Sequence, residues 1–82
     1  MPPPMRDDIE QKIKQIMADI FHLDPKQIDE ETAMDNTEAW DSANHISLVL
    51  ALEDEFSITF DVSEIETMTS FPDVVQAVAA RT

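Results

Sequence analysis

The sequence predicts an all-α fold, a small four-helix bundle of three longer helices and one short one, with a long loop between helices 1 and 2. Three observations carry that expectation. Apolar residues recur at helical spacing in three separate segments. Serine, aspartate and proline stand where those segments and a shorter one begin. The single stretch that alternates like a strand has no second stretch to pair with, and one strand alone is not a sheet. Eighty-two residues with 43% hydrophobic content suffice for one small domain, near the size at which a single core is only just adequate.

Residues 1–5, Met-Pro-Pro-Pro-Met, cannot open a regular helix and are expected to form a loose extended tail, with the folded domain spanning residues 6–80. Asp7 and Asp8 suit the positive end of a helix dipole. Ile9, Ile13, Ile16, Met17 and Ile20 then share one face of a first helix that runs to about Phe21 or His22. Asp24-Pro25 is a stop-and-start signal, with Ile28 placed to pin the chain that follows. From Asp29 to Asp41 no period is sustained; a connection of that length invites a functional role, and Met34 and Trp40 are its large apolar anchors.

The second helix is expected over residues 42–56. Asp41 and Ser42 are both strong N-cap types, and Leu48, Val49, Leu52 and Phe56 make a core stripe. Ser57 to Val62 reads as an extended connector that tucks Ile58, Phe60 or Val62 inward. Ser63-Glu64-Ile65-Glu66 matches a capping box and opens a short helix reaching Met68. Ser70-Phe71-Pro72-Asp73 starts the last helix, whose inward face is Phe71, Val74, Val75 and Val78 and whose end is near Ala80.

Composition excludes several functions. Eighteen acidic residues against five basic ones give a net charge of -13, which repels nucleic acid and anionic membranes and steers a basic partner instead. The absence of glycine removes Walker-type and dinucleotide-binding loops, where backbone must approach phosphate closely. Without cysteine there is neither a disulfide nor a thiolate metal site. Leu48 to Leu52 is too short to span a membrane and no secretory signal is visible, so a soluble, monomeric cytoplasmic protein is expected.

The chemistry concentrates at the start of the second helix. A hydroxyl on Ser42, at the positive end of that helix and in line with Ile46 and Leu50 at i+4 and i+8, suits an anionic group with a docking strip beside it. His45, three residues on, invites a nucleophilic serine–histidine pair. That reading lacks an oxyanion site and a glycine-bearing elbow, so His45 is expected at the surface or facing a partner. Asp35-Asn36-Thr37-Glu38 lacks the glycine and terminal glutamate of a calcium loop, and no metal site is expected.

Trp40-Asp41-Ser42 followed by Leu48-Val49-Leu50-Ala51-Leu52-Glu53-Asp54-Glu55-Phe56 resembles the acyl carrier protein family, and the likeness extends from the isoleucine-rich first helix to the valine-rich last one. The tryptophan before Asp-Ser resembles the stand-alone or specialised carriers. The resemblance implies a carrier rather than an enzyme, with 4'-phosphopantetheine from coenzyme A attached to Ser42 beside Asp41 by a phosphopantetheinyl transferase. Acyl intermediates would then ride as thioesters between acyl-loading and acyl-transferring enzymes of fatty acid, polyketide or related lipid biosynthesis. It further implies partner docking by Ile46, Leu50, Glu53 and Asp54, and an acyl cavity bordered by Met34, Leu52, Phe60, Ile65, Met68 and Val74. Three departures stand out: Ala43 replaces the usual leucine, Asn44, His45 and Ser47 replace acidic residues, and no glycine precedes Asp-Ser. They point to a different partner set. Two alternatives remain open: an aminoacyl or peptidyl carrier, of the D-alanyl or nonribosomal peptide type, and an acidic interaction module that is never modified.

Overall fold

A computed structural model describes residues 6–82, and the expected tail at residues 1–5 lies outside the described residues. Four α-helices follow in order: α1 (Arg6–Phe21), α2 (Ser42–Phe56), α3 (Val62–Thr67) and α4 (Phe71–Ala79). The all-α expectation holds, with three longer helices and one short one. Helix α1 packs against both α2 and α4. Its Ile9, Ile13, Met17 and Phe21 are buried, while Ile16 and Ile20 lie half-buried against the same core. The facing stripes are Leu48, Val49 and Leu52 from α2 and Phe71, Val74, Val75 and Val78 from α4. Phe56 departs from its expected place in the core stripe. It is half-buried, with the Lys12 ammonium 6.0 Å from its ring centroid.

Both long helices that run into loops end in a left-handed residue, His22 (φ 57°) and Ser57 (φ 55°). In each case the next N–H reaches back five residues, Leu23 to the Ala18 carbonyl at 3.0 Å and Ile58 to the Glu53 carbonyl at 3.1 Å. That is the Schellman closure, which favours glycine at its left-handed position. A chain with no glycine uses histidine and serine there instead.

The long connection is more ordered than its lack of period suggests. Asp24 caps a 3-10 turn at Pro25–Gln27, its Oδ1 accepting the Lys26 N–H at 2.9 Å. A second 3-10 turn occupies Met34–Asn36. The loop is then stitched to the segment before α4: the Met34 N–H donates to the Thr69 carbonyl at 2.9 Å and the Phe71 N–H to the Thr32 carbonyl at 2.8 Å, around an isolated bridge from Ala33 to Ser70. Asn36 ties the turn internally, accepting from the Ala33 N–H at 3.0 Å and donating to the Glu31 carbonyl at 2.7 Å. Ile28 and Trp40 are buried and hold the loop onto the core.

The expected cap of α3 is corrected, and of the three connector residues offered for the interior, Phe60 and Ile58 turn inward. The helix begins at Val62 with Asp61 as N-cap, so the box is Asp61-Val62-Ser63-Glu64 and the Glu64 carboxylate accepts the Asp61 N–H at 3.3 Å. As first residue of the helix, Val62 points outward and is 71% exposed, while Phe60 is buried and Ile58 half-buried. Ser70 caps α4 as expected, its Oγ accepting the Asp73 N–H at 3.3 Å, with Pro72 in the first turn.

Candidate functional site

The turn into α2 assigns Asp41 and Ser42 different work. Asp41 is the N-cap: its Oδ1 accepts the Asn44 N–H at 2.9 Å and its carbonyl the His45 N–H at 2.8 Å. Ser42 is therefore the first residue inside the helix. It is exposed, and its Oγ makes no hydrogen bond to any described residue. The Ser42 and Ala43 N–H groups stay without helical partners, as first-turn donors do, so the hydroxyl stands beside two free donors at the positive end of a 15-residue helix. An exposed hydroxyl relieved of capping, next to free N–H donors, fits a phosphodiester; a buried or capping serine would not.

The loop side of this turn is held by Asn44 and His45. The Asn44 side-chain amide donates to the Ala39 carbonyl at 2.7 Å, and the Trp40 N–H donates to the Thr37 carbonyl at 2.9 Å. His45 is 7% exposed, which corrects its expected surface or partner-facing position. Its Nδ1 accepts the Trp40 indole N–H at 2.9 Å, and its Nε2 lies 2.8 Å from the Ile65 carbonyl oxygen. Indole N–H is a donor only, so Nδ1 holds a lone pair and Nε2–H donates to Ile65. The Trp40 and His45 rings stack with centroids 6.1 Å apart, and the Phe21 ring lies tilted against the indole at 5.4 Å. One side chain thus joins the turn before α2, α2 itself and α3. Leaving any of these buried groups unpaired costs about 1–3 kcal/mol.

Beside Ser42 lies a pocket of about 330 Å³ lined by Met34, Ser42, His45, Ile46, Ile65 and Glu66. Of the six residues expected around an acyl cavity, Met34 and Ile65 line it. Leu52, Phe60, Met68 and Val74 are buried in the core, away from it. A larger cleft of about 600 Å³ sits between Leu23 and the Asn36–Ala39 segment and does not reach Ser42.

The residues expected to dock a partner divide similarly. Ile46 and Leu50 are 52% and 61% exposed, on the side of α2 that carries Ser42. Asp54 is exposed, whereas Glu53 is partly buried and accepts the Phe60 N–H at 2.9 Å, fixing the connector to α3. Among the described residues, no cluster of three metal-ligating side chains occurs.

Trp40 is the buried loop anchor the sequence suggests, while the structural roles of Asn44 and His45 are what sequence reasoning missed. A signal existed in the tryptophan: a buried indole needs an acceptor, and His45, five residues on, can supply one.

Residues 11–78 match the model of a family described as phosphopantetheine attachment site. An acyl carrier protein from Clostridium acetobutylicum is 35% identical over 72 residues, which cover 88% of this chain and 94% of that protein. A solved acyl carrier protein from Enterococcus faecalis superposes with a TM-score of 0.79 at 22% identity, over 96% of this chain and 100% of that one, a likeness of fold.

Proposed function

The chain belongs to the acyl carrier protein family, whose domain carries 4'-phosphopantetheine, and on that premise we propose that Ser42 is the attachment point and that Ile46, Leu50 and Asp54 receive partner enzymes. The protein is a carrier and not a catalyst. The prosthetic group supplies a thiol that holds acyl groups as thioesters, and a chain without cysteine has no thiol of its own for that purpose.

The observation that carries the assignment is the division of labour at the turn. Asp41 takes over capping, which leaves the Ser42 hydroxyl exposed and unbonded beside free N–H donors. Those donors and the helix dipole favour the phosphodiester anion. They oppose the repulsion from surrounding carboxylates in a protein of net charge -13. Asp41 contributes by positioning: with its carboxylate engaged by the Asn44 N–H, it holds the first turn in the geometry that presents Oγ outward.

The exposed Ile46 and Leu50 make an apolar strip on the Ser42 side, with Asp54 one turn beyond Leu50. A small apolar patch edged by acid suits brief docking to a basic enzyme surface. The transferase and the acyl-loading and acyl-transferring enzymes of fatty acid, polyketide or related lipid biosynthesis are the partners this surface would serve.

Incubation with coenzyme A and a broad-specificity phosphopantetheinyl transferase tests the reading. Intact mass is expected to rise by one phosphopantetheine, with peptide fragmentation locating it on Ser42. Modification of Ser42→Ala protein, or no modification while a control carrier converts fully, would overturn it.

A further inference from the structure

The pocket beside Ser42 is shallow, and its inner wall is a hydrogen bond. His45, from the second turn of α2, reaches the Ile65 carbonyl on α3 at 2.8 Å, and both residues line the pocket. Behind this link the Trp40 indole occupies the other imidazole nitrogen at 2.9 Å and is itself 2% exposed. Leu52, Met68 and Val74 are packed in the core and contribute nothing to the lining. The space in front of the link is about 330 Å³, at the small end of the roughly 300–1,000 Å³ typical of ligand pockets.

From this geometry we infer that His45 latches α2 to α3 and confines the carrier's sheltered cargo to the space in front of that link, out of the core around Leu52 and Val74. The inference rests on attachment at Ser42. Met34, Ile46 and Ile65 supply apolar walls within reach of that residue. A chain that went deeper between α2 and α3 would have to part the imidazole from the Ile65 carbonyl, exposing two polar groups to an apolar tail. Nothing in the tail can replace the lost partners. Longer chains therefore lie outside, along the exposed side of α2, and stay accessible to enzymes and solvent.

The full-length protein is loaded from butyryl, octanoyl and dodecanoyl coenzyme A with a broad-specificity transferase, and mass spectrometry first locates each adduct. Methyl NMR is then compared with that of the unacylated holo protein, together with emission from Trp40, the one tryptophan in the sequence. Butyryl is expected to shift Ile46, Ile65 and Met34 methyls. Octanoyl and dodecanoyl are expected to leave Leu52, Val74 and the Trp40 emission where the holo form has them. In His45→Leu, which keeps side-chain bulk but drops the bond, the dodecanoyl form is expected to shift Leu52 and Val74.

Core shifts with long chains on the wild-type protein would overturn the latch while leaving the Ser42 assignment intact, and so would a butyryl form that moves no pocket methyl. Adducts found on another residue would overturn both. The wild-type series decides the matter even where His45→Leu fails to fold.

Discussion

Ser42 and Asp41 are adjacent and polar, yet the structure predicts opposite consequences for replacing them. Ser42 caps nothing, so Ser42→Ala is expected to abolish phosphopantetheinylation while keeping stability within about 0.5 kcal/mol by urea unfolding. Asp41→Ala removes the oxygen bound to the Asn44 N–H and is expected to cost about 1 kcal/mol in the same measurement. Trp40→Phe tests the interior of the site. It keeps most of the apolar area but leaves the buried His45 Nδ1 without its donor, and a loss of about 1–3 kcal/mol is expected, read by far-ultraviolet circular dichroism because the fluorophore is gone. The serine was legible in the sequence because its flanking residues carry a family pattern. The histidine was not, because its place depends on two partners, one five residues before it and one twenty residues after it, that no local period connects.

At the scale of elements, the apolar periods of α1, α2 and α4 were legible because each buries one face of a helix, and burial writes its own spacing into the chain. The 3-10 turn at Met34–Asn36 and the Ala33–Ser70 bridge were not, since backbone pairing across that distance leaves no side-chain pattern. The misplaced α3 cap has a different origin. Asp61 and Ser63 are both competent caps with a glutamate three residues on, so the local sequence fits either and the structure uses the first. Helix ends yield a further prediction. A left-handed residue costs roughly 1–2 kcal/mol when it carries a Cβ. Glycine would relieve that cost at Ser57 but would add about 0.4–1 kcal/mol of unfolded-chain entropy to be lost on folding. Ser57→Gly is therefore expected to stabilise by about 0.5–1 kcal/mol, a rise in Tm of roughly 2–8 °C for a domain of this size. The site lies at the far end of α2 from Ser42, so the extent of phosphopantetheinylation is expected to stay unchanged.

For the whole molecule the informative feature is where positive charge is absent. From Gln27 to Ala80 there is no lysine or arginine, so the loop beyond Lys26, α2, α3 and α4 carry acidic side chains with neither of those cations among them. The five cations lie outside that span, and three of them are engaged: Lys12 pairs with Glu55 at 3.3 Å, Lys14 lies 5.7 Å from the Phe71 ring centroid, and Arg81 pairs with Glu64 while lying 5.5 Å from the Phe60 ring centroid. The strip that holds Ser42, Ile46 and Leu50 thus has acid around it and no cation on its own helix. One charge distribution then has two effects of opposite sign. Within the folded domain like charges repel, and screening them should stabilise it; between the domain and a basic enzyme unlike charges attract, and screening should weaken the encounter. Raising sodium chloride from low to physiological strength and beyond is accordingly expected to raise Tm while lowering kcat/KM for phosphopantetheinylation. Asp54→Lys should mimic only the second effect, lowering kcat/KM severalfold at low salt with the difference shrinking as salt increases. If instead modification rate and Tm rose together with salt, acid at this face would be serving solubility, and docking would rest on Ile46 and Leu50.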